Sequence, residues 1–515
     1  VDLLWFGGIG TYIRGSEETD QQVGDRANDA VRIAGADVRA RVIGEGANLG
    51  CTQRGRIEAA RHGVRLNTDA IDNSAGVNTS DVEVNLKIAL APPVSDGRLD
   101  EPGRNTLLAA MTDDVAALVL RNNYLQSLAL SLSERQGASG LAQLQRLMQG
   151  LEARGRLDRA VETLPGTAEV ERRIAAGEGA TRPELAVLLA YAKLSFFDDL
   201  IASNVPDDPH YSDELDRYFP AEIRQRFPDA VARHRLRREI IATQLSNIVL
   251  NRCGPGAIAR FADETASGAP EIAAAYALAR DSFGLLDINA ALDALDASMP
   301  GQAQLDLYAA VQAVLVGRMS WFLRNVNLRS GIGNDVKRFR AGVEEARAAM
   351  DQLLPASFKE ELRRRFAAWV ARGVPERMAA RIVELPAIES ATEAVLVAEQ
   401  AKVTVREALK TLYDLSDRFN IARLKAAAES IRTTDRFERL AVDRAVDGFD
   451  LSLRRLASDL LANHGAGEAG MAAFEEARGQ DFARITRGIE DIVASGLTQA
   501  KLTVAANLLG DLVRG

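Results

Sequence analysis

The hydrophobic rhythm of the chain changes once. Over the first ninety residues, short apolar runs alternate with amphipathic ones. "VDLLWF" (Val1–Phe6) closes on "GGIG", "VRARVIGEG" (38–46) runs into a glycine-bearing loop, and "VRLNTD" (64–69) ends among small polar residues. Compact apolar runs bounded by glycine are buried-strand signals. Between them, "DRANDAVRIAG" (25–35) places Ala27, Ala30, Val31 and Ala34 on one helical face. "TQRGRIEAARHG" (52–63) opens at Thr52, an N-cap residue type, and closes at Gly63, suited to the left-handed residue after a helix. Strand, helix, strand at this spacing predicts parallel βαβ units of a doubly wound α/β sheet. Ligands of such sheets bind at the carboxyl ends of the strands.

Beyond "APPVSDGRLDEPGR" (91–104), a turn-rich linker by composition, the period becomes that of helices. A strongly periodic stretch runs over 105–136, with Thr112 as a cap within it. "TRPELAVLLAYAKLSFF" opens with a capping box, Thr181 to Glu184, and carries Pro183 in its first turn. The pattern continues over 302–326 and 391–419. No internal repeat interrupts it. The expected organisation is therefore an α/β part over 1–91 and an all-α region over 92–515, the latter in two sub-bundles with a break near 254–268.

Composition narrows the class. A length of 515 residues points to about three domains. At 47% hydrophobic and 26% charged, the chain reads as a soluble globular protein, and with 5% aromatics its cores must be mostly aliphatic. A net charge of -9 offers no electrostatic reason for a nucleic-acid or anionic-membrane partner. No apolar run is long enough to span a bilayer. Two cysteines far apart, Cys51 and Cys253, make no disulfide framework and favour a reducing, cytoplasmic compartment.

Candidate chemistry gathers in "GEGAN" (44–48) and in "LNTDAIDNSAGVNTSDVEVNLK" (66–87), both at strand ends. Gly44 and Gly46 would let backbone approach a flat ligand, and Asn48 and Asn73 each offer a donor and an acceptor. Turn formation accounts for the same residues. "SDVE" is a capping box that makes Ser80 an N-cap, and a helix N-terminus with free N–H groups is also a carboxylate site. Lys87 stands four residues after Glu83, the spacing of a solvated surface pair. "GGIGTYI" has Gly8 and Gly10 but Ile13 where a third small residue belongs, so no complete dinucleotide fingerprint occurs. Histidines 62, 210, 234 and 464 lack ligand spacing, and no metal site is expected.

These loops resemble the cofactor domain of glutamate dehydrogenases, specifically the large bacterial NAD-dependent class. The family's E-G-A-N stretch corresponds to Glu45–Asn48, and its N-A-G-G-V followed by a serine to Asn73–Val77 and Ser80. "VGDRANDAVRI", "DDVAALVLRNNYLQS" and "TRPELAVLLAYAK" extend the likeness into the helical half. The resemblance implies NAD as cofactor, bound by Gly46, Ala47, Asn48 and Asn73, with Ala47 and Asn48 at the nicotinamide ribose and Asn73 holding the carboxamide. It places Val77 and Ser80 at the side-chain carboxylate of L-glutamate, which is oxidised to 2-oxoglutarate and ammonia. It also implies a homo-oligomer, a tetramer in the family. Ser74 and Ala75 depart from the family's Ala-Gly pair, and Asp81 stands where smaller relatives have tyrosine.

The family's catalytic lysine in a glycine-rich stretch, its catalytic aspartate and its phosphate loop have no counterpart here. The chain is thus expected to be the carboxy-terminal portion of a longer enzyme. It would hold the second half of a doubly wound (Rossmann-like) domain followed by a large helical assembly, with catalytic residues upstream of Val1. By itself it is expected to be inactive. Another amino-acid dehydrogenase of the same superfamily is the alternative, as is a non-catalytic oligomerisation or regulatory helical module for the chain alone. Ser80 favours an acidic side chain over leucine or phenylalanine. Nothing in these residues separates NAD from NADP.

Overall fold

The computed structural model describes residues 1–329, 331–431, 433 and 436–514. It is largely helical, with four short strands among the described residues, and it divides into two compact units: 1–277 with 315–333, and 278–314 with 334–515.

In the first unit, β1 (Leu3–Phe6) lies parallel to β4 (Val42–Glu45), with Leu3 opposite Val42 and Phe6 opposite Glu45. The predicted third strand is reduced to one parallel bridge, Val42 to Arg65, held by Ile43 N donating to Arg65 O at 3.0 Å. A second pair, β2 (Ile13–Arg14) and β3 (Ile33–Ala34), is also parallel. Helix α1 (Gln53–Arg61) connects β4 to the Arg65 bridge and follows its local signals. The Thr52 hydroxyl accepts from Gly55 N at 3.0 Å, and Gly63 turns with φ +90°. Phe6, Ile13, Ile43, Cys51, Ala59, Val64 and Leu66 close the core beneath these elements. Burial raises the Cys51 thiol well above its usual range, with the Glu45 carboxylate adding to the effect.

Three expectations change. The helix predicted over 25–35 is a 3-10 turn, Arg26–Val31. Side chains there compete with the backbone ladder: Asp25 Oδ2 accepts from Thr11 N (2.8 Å) and from Asn28 Nδ2 (2.7 Å), while Arg32 Nη2 donates to Asp25 O. The predicted linker at Ala91 begins inside a helix, α2 (Ser74–Ser95), which carries Pro92 and Pro93 in its last turn. Proline there removes two donors at an end about to fray, and buried Ala89, Leu90 and Pro93 keep the turn packed. The periodic stretch 105–136 is two helices that part at Met111, Glu101–Ala110 and α3 (Thr112–Glu134). Thr112 does not cap: its hydroxyl donates to Ala109 O.

α4 (Arg182–Ile201) opens on the expected Thr181–Glu184 capping box and packs against α5 (Arg237–Cys253), the Ser246 hydroxyl donating to Lys193 O at 2.7 Å. The Lys193 ammonium end is buried with no hydrogen-bond partner, and desolvation pushes its pKa down to about 7. An unfolded lysine titrates near ~10.4, so between about pH 7 and that value the unfolded chain holds the extra proton and stability rises with pH. Lys193→Met is expected to stabilise the chain by about 1–3 kcal/mol at pH 7, an advantage that shrinks toward pH 10. Thermal unfolding of both proteins across that range checks it.

The second unit is an assembly of helices, among them Glu376–Ile388, Ala391–Ala401, Val405–Arg418, Arg436–Asn463, Gly467–Ala494 and Gln499–Arg514. The pattern predicted over 391–419 breaks at Lys402, whose φ of +57° ends one helix before the Thr404–Glu407 capping box starts the next. Phe339, Phe419, Phe449 and Phe474 are fully buried there, and the Phe419 and Phe482 rings lie 5.3 Å apart.

Candidate functional site

The turn after β4 and the start of α2 meet in the first unit. Asn73 Nδ2 donates to Asn48 Oδ1 at 2.9 Å, so the two asparagines predicted from the strand-end loops form one amide pair. They line a cleft of about 700 Å³ together with Leu49, Asp69, Ala70, Ser74, Val77, Asn78 and Asp81. Gly76 makes room for this arrangement. A Cβ there would lie 2.9 Å from Asn73 Oδ1, so only glycine leaves the amide where it is.

The support beneath the pair is ionic and buried. Glu45 is 1% exposed and receives Arg56 Nε at 2.7 Å, Arg56 Nη2 at 2.8 Å and the Cys51 N–H at 3.2 Å. Arg56 also reaches Asp69 Oδ1 at 3.2 Å, and Asp69 Oδ2 accepts from Leu49 N at 2.9 Å. Leu49 takes a left-handed φ of +65°, a strained conformation for a branched residue, and it sits on the cleft rim. Asp72 accepts from Glu45 N and from Asn67 Nδ2, while burial raises its pKa. Helices fix the turn from outside. Asn123 Nδ2 on α3 donates to Ile71 O and Ser74 Oγ, and Arg182 on α4 donates to Asn67 Oδ1 at 3.0 Å and Ser131 Oγ at 3.0 Å.

The remaining predicted residues separate. Val77 is 67% exposed and lines the cleft. Ser80 is exposed one turn further along α2 and is not among the lining residues. It is no N-cap: α2 begins six residues earlier, after Asn73, so Ser80 and Glu83 are simply neighbours on the surface of an established helix. Gly46 and Ala47 precede the cleft in the β4 turn. The flat group lying against Gly44 and Gly46 is this chain's own Trp5 indole; a Cβ on Gly44 would come within 2.5 Å of its Cε3, and one on Gly46 would overlap the same ring. Lys87 and Glu83 form the expected exposed pair at 2.6 Å. His234 is buried, Nε2 donating to Asn85 O at 3.0 Å while Nδ1 accepts from Leu236 N.

The sequence reading missed the far wall. Asn122 and Gln126 on α3, with Thr243, Asn247 and Asn251 on α5, complete the cleft. Polar residues four apart on one helix face, Asn122 and Gln126 on α3 and Thr243, Asn247 and Asn251 on α5, were the available signal. Among the described residues the lining contains Asp69 and Asp81 but no lysine, arginine or histidine. Among the described residues no group of three or more His, Cys, Asp or Glu side chains could hold a metal, and no helix is long and apolar enough to cross a membrane.

Residues 177–511 match the family described as glutamate dehydrogenase, C-terminal, and residues 1–133 match the bacterial NAD-glutamate dehydrogenase catalytic domain. The chain is similar to the NAD-specific glutamate dehydrogenase of Halomonas elongata, 39% identical over 467 residues that cover 90% of this chain and 29% of that protein. The protein of that description from Pseudomonas aeruginosa is 43% identical over 379 residues, 74% of this chain and 23% of its own length. The one from Mycobacterium tuberculosis is 36% identical over 518 residues, 100% of this chain and 32% of its own length. The chain thus spans at most 32% of the length of these relatives.

Proposed function

The chain belongs to the glutamate dehydrogenase family, in its bacterial NAD-dependent branch, and from that membership we propose that its cleft holds the nicotinamide end of NAD. The enzyme completed by this chain would oxidatively deaminate L-glutamate to 2-oxoglutarate and ammonia. The observation that carries this reading is the Asn48–Asn73 amide pair at the cleft. A lining of amides and two carboxylates suits a positively charged ring bearing a carboxamide. When bound, NAD supplies the hydride acceptor for Cα of glutamate.

Asn73 would orient the carboxamide, held in turn by Asn48 and by the clearance at Gly76. Gly46 and Ala47 would meet the nicotinamide ribose from the strand-end turn. Val77 and Ser80 are our proposed contacts to the substrate's side-chain carboxylate, supported by their i, i+3 spacing on one face of α2. We assign residues 1–91 to the second half of a Rossmann-like dinucleotide-binding domain, supported by parallel β1, β4 and the Arg65 bridge. Residues 92–515 would be the helical carboxy-terminal region. A cytoplasmic homo-oligomer completes the proposal, supported by exposed Phe437 and Leu440 in the helical part.

Gly76→Ala in the full-length enzyme tests it. Alanine favours a helix, so thermal stability should hold, while displacement of the Asn73 amide should lower kcat/KM for NAD about tenfold. An unchanged kcat/KM would remove Asn73 from the site. Parallel kinetics with glutamate, leucine and phenylalanine decide the substrate.

A further inference from the structure

The wall contributed by α5 has an internal order. Thr243, Asn247 and Asn251 form one stripe, and burial deepens along it: Thr243 is exposed, Asn247 is half-buried, and Asn251 is 4% exposed. The stripe therefore runs from the mouth of the cleft to its floor. Packing does not require amides there, because α5 already faces its core with Ile240, Ile241, Leu245, Val249 and Leu250. At the floor, Asn251 Oδ1 is buried with no hydrogen-bond partner. A buried amide oxygen left unpaired is costly, and a fold that keeps one beside a cleft keeps an acceptor ready for a donor. Opposite, Asn122 Nδ2 is committed to Asn78 Oδ1 at 2.9 Å.

We infer that Asn251 is a further ligand-contacting residue of this cleft, accepting a hydrogen bond from an N–H or O–H of the nicotinamide riboside. The helical region thereby supplies the floor of the cofactor site rather than bracing it from behind. The inference rests on the proposed function.

The test is NADH binding to the full-length enzyme, followed by fluorescence titration, with AMP as a competing ligand that lacks the nicotinamide. Asn251→Leu is expected to weaken NADH about tenfold, the equivalent of one hydrogen bond, and to leave AMP affinity and the KM for glutamate unchanged. Without ligand its melting temperature should stay or rise, because the unpaired oxygen is gone; a purely structural asparagine would show the reverse. NADH affinity within twofold of the parent, an equal loss for AMP, or a higher KM for glutamate alone would each overturn the inference. If Asn251→Leu does not fold, Asn247→Ala replaces it, with about a threefold loss for NADH expected and no loss overturning the inference. Gly76→Ala separates the two levels. If it weakens NADH and the α5 variants do not, only this inference fails; if neither weakens it, the nicotinamide reading of the cleft fails as well.

Discussion

Replacing Arg56 with methionine is expected to lower the unfolding free energy of the first unit by about 3–5 kcal/mol, the usual cost of breaking one partner out of a buried ion pair. The geometry puts this change at the upper end. Arg56 is 6% exposed and, among the described residues, is the only charged partner in the hydrogen bonds of the Glu45 carboxylate, which would keep the Cys51 N–H. Asp69 would lose its cation at the same time. Such a loss should appear as a fall in melting temperature of roughly 6–20 °C at the few degrees per kcal/mol usual for units of this size. The paired change, Glu45→Leu with Arg56→Met, should recover much of the deficit, because two apolar side chains need no partner. If Arg56→Met melts with the parent, the network contributes nothing to stability.

The second large effect concerns rate. Asn73→Ala in the full-length enzyme should reduce kcat/KM for NAD by about 10²-fold, the scale set by misplacing a reacting ring by an ångström. Stability should change little, because Asn73 is half-buried and its side-chain bond goes to exposed Asn48. Asn48→Ala should produce a weaker form of the same defect, acting through the orientation of Asn73. Steady-state kinetics with varied NAD at saturating glutamate measures both. A normal kcat/KM in Asn73→Ala would mean that the carboxamide is held elsewhere.

Local signals were readable from the sequence because the chemistry that creates them is local. Thr52, Gly63 and the Thr181–Glu184 box act within four residues, and each does what its pattern implies. Asn48 and Asn73 were recognisable as a pair through resemblance, although nothing in their 25-residue separation dictates the hydrogen bond that joins them. The capping-box reading of Ser80 fails because such a box carries no information about whether a helix has already started; Asn123 fixes the true start from another helix. Gly44 and Gly46 were read as room for a flat ligand, and the flat group the structure places against them is Trp5 on the adjacent strand. The α5 wall and the lone Lys193 ammonium depend on tertiary packing between helices, which periodicity alone does not resolve.

Arg182 stands 115 positions from Asn67, yet it grips the same turn that Asn123 grips from α3. A transplant of the first ninety residues onto a foreign scaffold would cut α2 short of Ser95 and leave that turn untethered. The recipient would inherit the motif's letters without the clamps that aim them.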